Sequence, residues 1–263
     1  MKGQHPSAMA SDECLSDVLR YIESKRRLAL EDMQPDYDGY LRLLRRFLTL
    51  TPESRILEIG TGTGWFPILC KRDGLRCKGL EISRQLVDYA VEFGRRYGIE
   101  PDIELGNVEE TDLGENLYDA VFANSVFEHV QRWRQALERV YRALKPGGMF
   151  FFTSTNKFSL TSHEYPLPLY GWLPDRLRYR LRVARQGPDI MKLGIDFNQF
   201  TYPQLRRTFR RLGFSRVYDR IELVDLDRFQ SWRRALLRLA KASRLIEEPL
   251  LWFCDATVFV CIK

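Results

Sequence analysis

One carboxylate, Glu58, sits inside an apolar run, and three glycines follow at alternate positions, Gly60, Gly62 and Gly64, before Trp65 opens a helical segment. A residue without Cβ takes positive φ at no steric cost and lets a ligand approach the main chain closely. The first N–H groups of the following helix lack partners inside it and point at whatever occupies the turn. Such a strand–turn–helix, at the carboxyl edge of a parallel sheet, holds part of a nucleotide-like ligand. The spacing narrows the ligand further. A dinucleotide turn reads G-x-G-x-x-G and faces a pyrophosphate. Here the pattern is G-x-G-x-G, and Trp65 stands where that fingerprint wants its third glycine. A carboxylate two residues before the first glycine repels a dianionic pyrophosphate. These features argue against a nicotinamide-dependent dehydrogenase. They suit a nucleoside that carries an ammonium and a sulfonium.

S-adenosylmethionine carries both cations, and three further stations agree with it. GLEIS contains Glu81 at the end of an apolar run, 17 residues after Gly64. GNVEE contains Asn107, and YDAVFANSVFEHV runs from Tyr118 to Val130, with LKPGGMFFFTSTN following. In this order and at these intervals, residues 53 to 156 resemble the core of the class I S-adenosylmethionine-dependent methyltransferases. The nearest likeness is the small-molecule group that includes the quinone-biosynthesis enzymes.

The resemblance implies a site. Glu58 accepts from the methionine ammonium, directly or through water, or from loop N–H groups. Gly60, Thr61 and Gly62 wrap the methionine moiety, and Gly64 completes the turn. Glu81, with Ile82 beside it, takes the two ribose hydroxyls. Asn107 stands where the family more often has Asp; its oxygen can accept from the adenine amine, and Val108 offers a backbone N–H to the ring. Asn124 and Ser125 line the sulfonium end.

Methyl transfer is an in-line displacement at an activated carbon, so alignment supplies much of the acceleration. A hydroxyl acceptor must also lose a proton, and histidine is the natural base near neutral pH. His129, directly after Glu128, is the first candidate; its plainer reading is a helix cap or a packed ring. His163 and Tyr165 are expected as substrate contacts. No residue set for a metal site is evident, and the run Ala123-Asn124-Ser125-Val126 lacks the Pro-Pro-aromatic signature of nucleobase amino-methyltransferases.

The surrounding elements must place these residues. Apolar runs bounded by glycine alternate with helical periods, which means βαβ units and a parallel sheet. Strands are expected near 55–59, 76–82, 102–106, 118–123 and 149–154, with helices near 65–72, 84–97 and 131–144. SRVYDRIELVD reads as strand six and 256–263 as the last strand. The expected class is α/β: a Rossmann-like seven-stranded sheet, six strands parallel and the last antiparallel, with helices on both faces. Residues 1–52 read as an N-terminal helical extension opening with Ser11 and Asp12 as cap candidates. Residues 53–263 read as the methyltransferase domain, with a substrate-side insert at about 157–200 and a basic amphipathic helical stretch at about 228–250.

Composition bounds the rest. The 263 residues are 44% hydrophobic and 29% charged, as in ordinary globular domains. The longest apolar stretches, such as MFFF and LLWFC, fall far short of a membrane span. The opening residues contain no apolar core of a secretory signal. The five cysteines form no C-x-x-C pair and read as reduced thiols of a cytoplasmic protein. Charge is uneven: Gly171 to Leu250 holds 18 Lys and Arg against 9 Asp and Glu, a net of +9 in a chain of +6. The basic half is solvated surface on the plainest reading. It also suits the anionic inner face of a membrane, or a small or lipid-like acceptor. An RNA substrate, or a non-catalytic cofactor-binding module at a membrane surface, are the rival readings.

Overall fold

Central strands of a parallel sheet are covered on both faces, so their successive side chains must feed two cores. The computed structural model, which describes residues 15–162, 165–226 and 230–263, follows this rule. Its strands are β1 (Arg55–Ile59), β2 (Arg76–Glu81), β3 (Asp102–Leu105), β4 (Tyr118–Asn124), β5 (Leu144–Thr155), β6 (Arg216–Asp219) and β7 (Ala256–Ile262). Their order is β3-β2-β1-β4-β5-β7-β6. Neighbours pair parallel except at β7, which runs antiparallel to both β5 and β6. The seven-stranded Rossmann-like arrangement is the expected one.

Alternate residues go to opposite faces. Leu57, Val121, Phe150 and Phe259 join one core. Ile56, Phe122, Phe151 and Val260 join the other. The first core is closed by α5 (Trp133–Ala143) and α7 (Tyr202–Leu212), the second by α2 (Gln34–Phe47), α3 (Trp65–Arg72) and α4 (Arg84–Arg95). Helix α1 (Ser16–Lys25) precedes α2. Within the expected helical extension, α1 ends at Lys25 and a short 3-10 turn at Glu31–Met33 leads into α2. The proposed caps Ser11 and Asp12 lie outside the described residues.

Strand six is shorter than expected. Asp219 accepts from the N–H groups of Ile221 and Glu222, and Glu222 accepts from the Asp219 N–H at 2.9 Å. This capping box starts the short α8 (Arg220–Leu223) and ends β6. The D-x-x-E spacing at 219–222 was the available signal.

The insert contains a basic helix, α6 (Asp175–Gln186), and a 3-10 turn at Pro188–Met191. It is built around Asp196, which is fully buried. Arg178, Arg182, Tyr170 and Gln199 all donate to its carboxylate. The basic stretch forms a helical pair, α9 (Ser231–Ala242) and α10 (Arg244–Trp252). Asn156, just past β5, ties this pair to the sheet: its Nδ2 donates to the carbonyls of Leu251, Trp252 and Cys254 at 2.8–3.0 Å. Among the described residues no helix is long and apolar enough to cross a membrane.

Candidate functional site

The turn between β1 and α3 closes as its glycines dictate. Gly60, Gly62 and Gly64 all have positive φ, at 68°, 55° and 72°. Gly60 donates to the Leu80 carbonyl at 2.7 Å, which pins the turn to β2. A Cβ on Gly60 would lie 2.5 Å from Val126 Cγ2, so only glycine lets the turns after β1 and β4 approach. Gly64 serves differently. Its Cβ would meet Ala90 and Ile103, and it does not line the cavity above the turn. Gly64 is thus a packing glycine under the site rather than a ligand contact.

That cavity, of about 530 Å³, opens at the carboxyl ends of β1, β2 and β4. Glu81 lines it. Its two carboxylate oxygens accept from the backbone N–H groups of Gly62 at 2.9 Å, Ile82 at 2.9 Å and Ser83 at 3.1 Å. Burial raises the Glu81 pKa, and the three N–H donors oppose that rise. Glu81 therefore shapes the glycine turn while presenting charge to the cavity. Ile82 lines the cavity beside it.

Glu58 lies beneath the turn and is not among the lining residues. It accepts from the Thr61 hydroxyl. Thr61 likewise faces down: its side chain packs over Gly79 and bonds Glu58 rather than lining the cavity. Burial pushes the Glu58 carboxyl up to about 8; the Thr61 hydrogen bond pulls it down, and nearby Glu81 adds to the rise. The folded chain thus keeps a proton that the unfolded chain releases near its ordinary 4.5. Stability from this group is full below the lower value and is lost as pH rises through the upper one, by up to about 1.4 kcal/mol per pH unit. Glu58→Gln abolishes that slope. In urea titrations the variant is expected to gain on the wild type steadily from about pH 5 to about pH 8. A difference independent of pH would show that Glu58 is not held protonated.

On the opposite rim, Asn107 and Val108 line the cavity. The Asn107 Oδ1 already accepts from the Glu109 N–H at 2.9 Å, so a ligand amine would share that oxygen rather than own it. At the end of β4, Asn124 donates to the Tyr40 hydroxyl at 3.0 Å and accepts from Thr153. Ser125 has φ of 54°, unusual for a residue with Cβ. Two bonds from its N–H, to Thr153 O and Oγ1 at 3.1 Å each, hold it there. Both Asn124 and Ser125 line the cavity.

His129 also lines it, one turn further on. Its Nδ1 lies 2.9 Å from the carbonyl oxygen of Ile195 in the insert. A carbonyl only accepts, so Nδ1 carries the hydrogen and the neutral ring keeps its lone pair at Nε2. Asn198 clamps the same turn by donating to the carbonyls of Phe127 and Val130 at 3.0 and 2.7 Å. His163 lies outside the described residues. Tyr165 is not brought to the cavity: it is buried against Tyr170 with Arg182 and Arg185 against its ring. The insert needs a core of its own, and Tyr165 serves it.

Sequence reasoning missed the roof. Helix α1 brings Leu15, Val18 and Tyr21 over the cavity, and the insert brings Arg182, Asp189 and Lys192. The two segments meet through polar contacts. The Ser16 hydroxyl donates to Asp189 at 3.1 Å, and Arg20 donates to the Gln186 carbonyl at 2.5 Å. Tyr21 reaches over the glycine turn, its hydroxyl 3.5 Å from where a Gly62 Cβ would sit. Burial raises its pKa, with Glu81 and Glu58 adding to the shift. The one acidic cluster among the described residues, Asp219, Glu222 and Glu247, lies apart from the cavity. Arg206 pairs with two of its carboxylates, so a cation already sits among them.

Comparison with known proteins places the same region. A methyltransferase-domain family model matches residues 57–152. The chain is 25% identical over 180 residues to the ubiquinone biosynthesis O-methyltransferase of Rickettsia conorii, covering 65% of this chain and 61% of that protein. It is 28% identical over 127 residues to phosphoethanolamine N-methyltransferase 2 of Caenorhabditis elegans, covering 46% of this chain and 28% of that one. It thus spans less than two thirds of either relative. The crystal structure of an S-adenosylmethionine-dependent methyltransferase from Archaeoglobus fulgidus shares the fold, with a TM-score of 0.56 and 18% identity, over 93% of this chain and 99% of that one. The family match covers β2, β3 and β4, most of β1 and β5, and the glycine turn, and over these residues the chain is similar to S-adenosylmethionine-dependent methyltransferases.

Proposed function

We propose that this protein transfers the methyl group of S-adenosylmethionine to an oxygen of a small or lipid-like acceptor, of quinone, polyprenyl or glycan-lipid type. The reading rests on one observation: the cavity over the acid-bearing glycine turn also holds His129, with its Nδ1 committed to a carbonyl.

The residues suit the donor. S-adenosylmethionine supplies a methyl carbon already activated by its sulfonium. Gly60 and Gly62 let it approach the main chain, Glu81 takes the ribose hydroxyls, and the Asn107–Val108 corner meets the adenine. A cation above the turn favours ionised Glu58, offsetting the cost of its burial. Asn124 and Ser125 border the reacting end. The α1–insert roof excludes water and aligns the acceptor, which is most of what a displacement needs. An oxygen nucleophile becomes competent when its proton passes to Nε2 of His129. The Rickettsia relative is named for an O-methyl transfer, which supports oxygen.

The test is incubation with methyl-labelled donor and fractionated cell extract. Label is expected in hydroxylated small molecules or lipids. His129→Ala is expected to lower kcat by about 10² to 10⁴ with donor affinity unchanged. Label entering RNA, or donor binding with no turnover on any fraction, would overturn the reading. A normal rate in His129→Ala would remove the base.

A further inference from the structure

The α9–α10 pair carries an outward face that the cavity does not explain. Trp232, Leu236 and Leu239 follow one another at helical spacing, and all are exposed, Trp232 at 61%. Leu245, at the start of α10, is 89% exposed. Cations border this stripe. Arg233 lies with its guanidinium 5.1 Å from the Trp232 ring centre, and Arg238 and Arg244 are exposed. Beside Arg244 the basic surface continues as a shallow groove lined by Arg207, Arg210 and Arg211 of α7. Helix α10 ends on a further group of aromatics. Trp252 stacks on Phe158 at 5.6 Å, and Phe158 meets the exposed Trp172 of the insert edge-on at 5.4 Å.

We propose that this surface docks the protein on an anionic lipid bilayer. Helix α9 lies in the plane of the interface, with Trp232, Leu236 and Leu239 entering the headgroup–acyl boundary and the flanking arginines meeting lipid phosphates. Apolar residues on one stripe with cations along its margins are what such a helix requires. The arginines and exposed tryptophans also fit RNA, but Leu236, Leu239 and Leu245 give RNA nothing to stack on, whereas a bilayer boundary takes up aliphatic and aromatic side chains alike. The proposal is independent of the acceptor and of the methyl-transfer chemistry.

The test is co-sedimentation of the full chain with vesicles of phosphatidylcholine alone and of equal parts phosphatidylcholine and phosphatidylglycerol. Binding is expected only, or at least tenfold more tightly, on the anionic vesicles. The triple variant Arg233→Gln, Arg238→Gln, Arg244→Gln is expected to weaken it by about fivefold per arginine. Leu236→Ser with Leu239→Ser is expected to weaken it at unchanged charge, separating insertion from electrostatics. Both variants should bind the methyl donor normally, which shows that the fold and cavity survive. Equal recovery on both vesicle types, or leucine changes without effect, would overturn the proposal. So would tighter binding to a single-stranded RNA homopolymer, or self-association without vesicles that the leucine changes abolish.

Discussion

Glu81→Gln is expected to lose affinity for S-adenosylmethionine by about a hundredfold or more while the fold persists. The change is isosteric, so its size must come from hydrogen-bond polarity. Both carboxylate oxygens now accept, one from Gly62 and the other from Ile82 and Ser83. An amide keeps one oxygen and puts an NH₂ where the second stood, so donor faces donor. If the NH₂ meets Gly62, the glycine turn loses one of its ties to β2, the bond from Gly60 to the Leu80 carbonyl remaining; if it meets Ile82 and Ser83, the start of α4 loosens. In either orientation the ribose hydroxyls, which we propose Glu81 to bind, lose a charged acceptor. A hydrogen bond to a charged group contributes about 1.5–3 kcal/mol, and two such losses account for the expected range. Thermal stability should hold, because a neutral amide relieves the burial that raises the Glu81 pKa. Calorimetry with donor, beside thermal unfolding of both proteins, checks this. An affinity within about threefold of wild type would show that Glu81 is only a structural acceptor.

The floor of this site was legible in the sequence because its chemistry is local. Glu58, the alternate glycines and Glu81 declare themselves by type and spacing, and parallel strands buried on both faces read as continuous apolar runs. Finer assignments within the floor were not legible. Both Gly60 and Gly64 need positive φ, but what each Cβ would strike belongs to Val126 in one case and Ala90 in the other. Only tertiary packing tells the close approach from the packing glycine. Glu58 was expected against the ligand and sits behind Thr61, because a strand alternates its faces and the turn folds over the side chain.

The roof was illegible for a different reason. The contacts that bring α1 over the cavity join Ser16 to Asp189 and Arg20 to Gln186, across most of the chain. No local pattern encodes such a pairing. An aromatic in the insert reads as a substrate contact, yet Tyr165 is buried inside it. A stretch of about forty residues with many arginines and prolines cannot fold on apolar burial alone. It is organised by one carboxylate, and sequence gives no means of ranking Asp196 above its neighbours Asp175 and Asp189.

That dependence makes Asp196→Ala the second large effect. The carboxylate receives Arg178 at 2.5 Å, Tyr170 at 2.9 Å, Gln199 at 2.5 Å and Arg182 at 3.3 Å. Arg178 and Asp196 are both fully buried. Removing one partner of such a pair costs about 3–5 kcal/mol, because the other charge remains desolvated. The sheet has its own two cores and does not depend on this cluster, so the cost falls on the insert. Trypsin is expected to cut Asp196→Ala within the arginine-rich α6 at least tenfold faster than wild type, while the strands keep their protection in hydrogen exchange. The double change Arg178→Met with Asp196→Leu should recover part of the resistance, since apolar residues of similar volume replace buried ions at little cost. Because Ile195, the acceptor for His129 Nδ1, is the residue before Asp196, the single variant should also lower kcat more than it weakens donor binding. Wild-type proteolysis in Asp196→Ala would mean that the insert is held by its contacts to α1 and to the turn after β4, and that the buried pair follows from the fold instead of organising it.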